Sequence, residues 1–323
     1  MTAAPLQQAI SRRGFLKAAS GFLASASVIG FDLPQWPTTA VPQHVPVPAS
    51  LMLHSPDAQS DFLPQLLDQL NEAGFTAVTY LSWQQLLREN RMPAKPIILS
   101  IDDISIAKHA CAAFSTFVQM KEWIRAAGMT AVFGVITEPI INGTPQRTQD
   151  EERWDVVCSW IDEGFELATH TSYHSNFNAV DSGPRPDFTD VDYEAEIVRS
   201  ARLIENKLLE RGLDYPVKSL IMPYGSGYSY KLSPSQVHTG IMQACHQTSI
   251  EFVVGIAQGR APLNTYALLD SQGVVYVGRL PPACVVDGDG RSLPYADLTE
   301  AWLSSWYEDN CALAAKQPMM RAV

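Results

Sequence analysis

Three short segments carry side chains able to hold a cation and move a proton. Ser100-Ile101-Asp102-Asp103 sets two adjacent carboxylates at the end of an apolar run. Both cannot point into a core uncompensated, because an unpaired buried charge is costly. On extended backbone, neighbouring side chains point to opposite sides. One carboxylate can therefore take a metal while the other faces a water, although the pair alone also fits a solvated loop. His170-Thr171-Ser172-Tyr173-His174 places two imidazoles four residues apart. On a helical turn both would face one side, a spacing that suits a divalent cation. With Asp103 they form a two-histidine, one-carboxylate set, which leaves positions open for water and substrate. Zinc is the chemical default for such a set, and cobalt, nickel or iron also suit it. Met222-Pro223-Tyr224-Gly225 reads as a Pro/Gly turn after a strand. Its functional reading is a rigid turn that aims the Tyr224 backbone N–H into the site as an oxyanion donor.

The elements that would have to bring these segments together alternate in type. Strand-like runs are expected at 51–53, 76–80, 96–101, 130–136, 165–168, 217–222, 252–256 and 274–280. Helical spacing is expected at 61–73, 83–89, about 109–127, 151–162, 193–211 and 235–247, with Gly74, Gly128, Gly164 and Gly212 as stops. Such alternation implies parallel strands covered by helices. In a β/α barrel the C-terminal strand ends form one rim, where active sites are built. Residues 54, 102, 103, 170, 174 and 224 all fall at strand ends, so convergence on one mouth is expected.

Composition narrows the classes. A formal net charge of −11 over 323 residues argues against nucleic acid as a partner, since phosphate backbones call for clustered Lys and Arg. Cys111, Cys158, Cys245, Cys284 and Cys311 form no CxxC pair, which leaves no thiolate zinc motif, and an odd count leaves at least one free thiol. Residues 1–30 read as an export signal: Ser11-Arg12-Arg13-Gly14-Phe15-Leu16-Lys17 followed by a modest apolar stretch resembles a twin-arginine signal. Cleavage is expected near Ala24-Ser25-Ala26. That stretch is too short for a stable membrane span, and no other run could cross a bilayer. Residues 31–49 read as a Pro-rich linker and 50–323 as one catalytic domain, which gives a periplasmic or cell-envelope location.

In order and spacing these segments resemble the NodB-type polysaccharide deacetylases, a carbohydrate esterase family. That family carries Thr-Phe-Asp-Asp, His-Ser/Thr-x-x-His and Arg-x-Pro-Tyr motifs; the counterparts are Ser100–Asp103, His170 to His174 and Ile221-Met222-Pro223-Tyr224. Leu51-Met52-Leu53-His54, then a helix and Gly74-Phe75-Thr76-Ala77-Val78, is similar to the start of the branch acting on poly-N-acetylglucosamine. The match spans roughly residues 50–282 and implies an α/β fold, a distorted (β/α)7-type barrel. The resemblance further implies Asp102 as general base, Asp103, His170 and His174 as metal ligands, and an acetylated glycan as substrate. The implied activity is metal-dependent hydrolysis of N-acetyl groups on an amino-sugar polymer, poly-N-acetylglucosamine or chitin-like. Two departures stand out. Ile221 replaces the family Arg, for which Arg279 is a spatial candidate, and no Leu-x-His follows in the C-terminal part. Met52-Leu53-His54 offers a permuted version, with His54 as general acid or as an ordinary strand-end histidine.

Two rival readings share these residues. One is an O-acetyl (xylan) esterase or another amidase on the same scaffold; the other is a glycan-binding protein on a decayed catalytic site. Asp287-Gly288-Asp289-Gly290 lacks the remaining ligands of a calcium loop. Ser105-Ile106-Ala107-Lys108 matches Ser-x-x-Lys without its companion motifs.

Overall fold

Alternation along seven parallel strands sorts the apolar side chains into two cores, one inside a barrel and one between barrel and helices. The computed structural model describes residues 43–46, 48–55, 62–107, 113–177, 191–226, 239–256, 266–269 and 273–279. The expected export signal, the linker up to residue 42, His109, His238, three of the cysteines and the Asp287–Gly290 segment lie outside the described residues.

The chain begins with β1 (Gln43–Pro46), β2 (Ala49–Leu53), α1 (Phe62–Glu72), β3 (Thr76–Ala77) and α2 (Tyr80–Arg88). Then come β4 (Pro96–Ser105), α3 (Phe114–Ala126), β5 (Val132–Ile136), a small hairpin of β6 (Ile140–Ile141) and β7 (Thr144–Pro145), and α4 (Glu151–Asp162). After β8 (Glu166–Thr169), a π-helical segment Glu194–Arg199 runs into α5 (Ser200–Leu209). The rest is β9 (Ser219–Ile221), a short 3-10 turn Pro223–Gly225, α6 (Thr239–His246), β10 (Phe252–Ile256), β11 (Tyr266–Leu269) and β12 (Val275–Arg279).

Strands β2, β4, β5, β8, β9, β10 and β12 neighbour one another in that order, every pair parallel. The two ends of the series, β2 and β12, lie against each other and bring the sheet nearly to closure. The parallel strands under helices expected from strand–helix alternation are present, and they form the distorted α/β barrel that the resemblance implied, with an open seam. Residues 43–46, expected as linker, instead form an antiparallel edge with β11, Gln43 opposite Leu269 through Pro46 opposite Tyr266. An edge strand tolerates Pro46 because a ladder is needed on one side only.

Leu51, Leu53, Ile97, Leu99, Ile101, Phe133, Val135, Leu167, Leu220, Val253 and Tyr276 point outward, under the helices. Leu63, Leu66, Leu67 and Leu70 of α1 and Phe117, Met120 and Ile124 of α3 meet them there. The alternate residues Ile98, Val132, Ala168, Ile221, Phe252, Val254, Val275 and Val277 fill the barrel. Helix α2 seals the end from which the strands start. Tyr80 stacks on Phe252 at 5.6 Å and Trp83 tilts against it at 5.7 Å. The expected strand 76–80 is cut short because Thr79 caps this helix in a reciprocal box with Ser82. The carboxylate of Glu166, at the start of β8, accepts the Leu81 N–H at 3.0 Å and the Ser219 hydroxyl at 2.5 Å. With that end plugged, the rim where the strands finish is the end left to carry a site.

Candidate metal centre

Two-residue periodicity carries the functional side chains to the rim. Asp102 follows Ile98 and Ser100 on the inner face of β4, His170 follows Ala168 past the end of β8, and Arg279 follows Val277 at the end of β12. His54 stands just beyond β2. The Asp pair does not lie past its strand, as expected, but within β4. There the register against β5 slips between Ile101 and Ile104, a bulge that turns Asp103 away from the pleat. Asp103 adopts φ 69°, and its carboxylate faces the two histidines.

The His170–His174 spacing does not sit on a helical turn. It spans an irregular loop with left-handed backbone at Thr171 (φ 67°) and His174 (φ 58°). His170 Nε2 lies 3.3 Å and His174 Nε2 3.1 Å from the same Asp103 oxygen. One ligand atom from each of the three lies within 4.8 Å of the others. His170 Nδ1 donates to the Ile221 carbonyl at 2.8 Å, because a carbonyl can only accept. That bond fixes the tautomer and leaves Nε2 as a lone pair aimed at the site. Nitrogen and carboxylate donors in this number, with one ring oriented from behind, fit a divalent ion such as zinc. Gly134 makes room for the ring: a Cβ there would meet Ile221 Cδ1 at 3.1 Å and His170 Cβ at 3.3 Å.

Asp102 lies beneath this cluster, 2% exposed. Arg279 grips it with both arms, Nη1 to Oδ1 at 2.5 Å and Nη2 to Oδ2 at 2.8 Å, while Nη1 also reaches Ser100 Oγ at 2.8 Å. The guanidinium thus spans the barrel seam from β12 to β4 and reaches Asp102, the partner for which the sequence made it a spatial candidate. Burial pushes the Asp102 carboxyl up, but Arg279, then His170 and His54, outweigh it and hold it below the usual carboxylate range. Asp103 is likewise raised by burial and pulled down further by its two imidazoles. Burial lowers both histidines; at His170 the aspartates outweigh it, and at His174 they do not. His54 Nε2 and His170 Nε2 each stand 4.0 Å from Asp102 Oδ2.

Tyr224 sits in the turn after β9 with φ 57°, followed by Gly225 at φ 61°. Its ring covers His174 at 4.7 Å between centroids, and it is 45% exposed on the rim. Ser226 ties the turn down, its hydroxyl donating to Pro223 O at 2.6 Å and accepting the Phe177 N–H at 2.9 Å. Six non-glycine residues among those described have positive φ, and four of them, Asp103, Thr171, His174 and Tyr224, belong to this site. Each such residue costs on the order of 1–3 kcal/mol and persists only where its surroundings over-determine it.

Glu196 and Gly134 lie outside the segments whose residue types announce chemistry. Glu196 is 2% exposed and accepts the Tyr173 N–H at 2.9 Å. Its available signal was the polar i, i+4 pair Glu196 and Ser200 beside the apolar stripe Ile197, Ala201, Ile204 and Leu208. Gly134, inside an apolar strand, gave no signal of its own.

No protein-family model matches the chain, and no curated protein matches it in sequence. Among solved structures, a Streptococcus pyogenes deacetylase (PplD) in complex with acetate is similar at 16% identity and a TM-score of 0.49, over 83% of this chain and 99% of that one.

Proposed function

We propose that the protein is a metal-dependent hydrolase that removes N-acetyl groups from an amino-sugar polymer, with Asp103, His170 and His174 as its metal ligands. The single observation that carries this reading is the convergence of those three ligand atoms beside a buried, arginine-clamped carboxylate. A divalent ion held there, zinc by default, would polarise an acyl carbonyl and acidify a water. Asp102 is ionised and lies next to the ligand cluster, so it is the base that takes the proton of the attacking water. Arg279 keeps that carboxylate in place and charged before the proton arrives. The Tyr224 N–H donates to the oxyanion that forms as the carbonyl is attacked. His54, part-exposed and near Asp102, gives its proton to the departing amine.

The resemblance of the three motifs in the sequence supports an acetylated glycan as the substrate, and the twin-arginine sequence supports export to the cell envelope. The substitution at Ile221 motivated the decayed-site alternative; Arg279 meets that need from another strand. Acetate release from N-acetylated and O-acetylated oligosaccharides, compared side by side on zinc-loaded protein, tests the reading. Release from N-acetylated chitin-like or β-1,6-linked oligomers is expected. Release from acetylated xylan alone makes the protein an esterase, and glycan binding without acetate at any metal loading makes it a binding protein.

A further inference from the structure

The left-handed loop that carries both histidines needs something to hold it, and much of that comes from one residue. Every backbone N–H from 170 to 174 has an acceptor. His170 donates to Val135 O at 2.8 Å and Thr171 to Thr169 Oγ1 at 3.2 Å. Ser172 donates to Glu196 O at 2.9 Å, and Tyr173 to Glu196 Oε2 at 2.9 Å. His174 donates to Thr171 Oγ1 at 3.1 Å. Two consecutive N–H groups therefore end on Glu196. Burial raises the pKa of its carboxyl, and the hydroxyls of Ser175 and Thr171 that face it lower it in part. The Thr171 hydroxyl oxygen also receives the His174 N–H, so it stands between the loop backbone and Glu196.

The element that supplies this residue is itself irregular. Glu196 lies in the π-helical segment Glu194–Arg199 ahead of α5, and π-turns inside helices are frequent at functional sites. The same segment anchors the loop a second time, through the Ser172 hydroxyl donating to Ala195 O at 2.7 Å. Glu196 is buried, and its bonds to Ser172 and Tyr173 act on the backbone that aims the rings.

We propose that Glu196 is a positioning residue of the metal centre, holding residues 170–174 in their left-handed conformation and so setting the affinity and coordination geometry of the bound ion. This rests on the metal-dependent reading above. Partners behind the ligands of a metal typically change its affinity by about 10–100-fold when removed.

The test measures zinc affinity by competition with a chromophoric chelator, and the visible absorption of the cobalt-loaded protein. Wild type, Glu196→Ala, Glu196→Gln and Glu205→Gln are compared. Glu205 is the control, a part-buried carboxylate that accepts the Val217 N–H at 3.0 Å, away from the site. Glu196→Ala should weaken zinc by about 10–100-fold and shift the cobalt bands. Glu196→Gln keeps one oxygen for the Tyr173 N–H and should fall between it and wild type. Glu205→Gln should leave both readouts unchanged. Should Glu196→Ala fail to fold, Glu196→Gln decides by the same two readouts. Wild-type affinity and an unshifted cobalt spectrum in the Glu196 variants overturn the role of Glu196 alone. A wild-type chain that takes up no divalent ion overturns the metal-dependent reading, and this inference with it.

Discussion

Under the proposed function, Asp102 and Arg279 serve both chemistry and stability. Arg279 is 1% exposed and Asp102 2%, so neither has water to fall back on. Removing one member of a buried ion pair strands the other, at a cost of about 3–5 kcal/mol. Arg279→Met should therefore lower the unfolding free energy by that amount, measured by urea denaturation followed by tryptophan fluorescence, and should also cut turnover. Asp102→Asn weights the two roles differently. Its one oxygen still accepts from Arg279 but the guanidinium loses its counter-charge, so stability should fall. The metal ligands are untouched, so the metal content of the folded protein should hold, while acetate release should fall by about 10²–10⁴-fold, the usual contribution of a general base. Elemental analysis run alongside the rate assay checks both halves. At this scale the sequence was most informative. Asp102, Asp103, His170 and His174 are legible because their types and spacing are unusual. Arg279 is harder to see, because its partner lies 177 positions away and only barrel closure joins them.

Elements were legible where their periodicity is long, as in α1, α4 and β10, and misread where backbone geometry is local. The histidine pair looks helical by spacing alone, yet Thr171 and His174 are left-handed, and no pattern of side-chain types announces that. The strand expected at 76–80 gave way to a helix cap, because Thr79 and Ser82 satisfy each other's backbone. The edge strand β1 was hidden by Pro46 and by a partner in a distant segment. The turn after β9 offers a prediction at this scale. Gly225 has φ 61°, and a Cβ on it would lie 2.5 Å from Ile256 Cβ and 2.9 Å from the Ile256 backbone nitrogen. Gly225→Ala must displace the turn from β10 and move Tyr224 off His174. The strain alone is on the order of 1–3 kcal/mol. Thermal unfolding should show that loss, and acetate release should fall further than the loss of folded protein explains.

The molecule as a whole is a plugged barrel whose ligand set comes from β4 and the loop after β8, two strands that flank β5, while closure of β12 against β2 brings Arg279 onto Asp102. Nothing in a single segment fixes that closure; the alternating pattern implied parallel strands under helices, and the seven-stranded barrel was implied by the motif resemblance. Among the described residues, no helix is long and apolar enough to cross a membrane. Because Asp103 and the histidines come from different strands, an ion bound between them favours the closed fold over the unfolded chain. At a hundredfold excess over its dissociation constant, zinc should add about 2.7 kcal/mol. A rise in melting temperature with zinc, its reversal by EDTA, and its absence in Asp103→Ala would show that linkage in one set of melts. The arrangement itself is tested most directly by anomalous diffraction at the zinc edge from zinc-soaked crystals. The expected result is one strong peak at about 2.0–2.2 Å from an Asp103 oxygen, His170 Nε2 and His174 Nε2. Zinc bound elsewhere, with these three side chains bare at saturating zinc, would contradict the account.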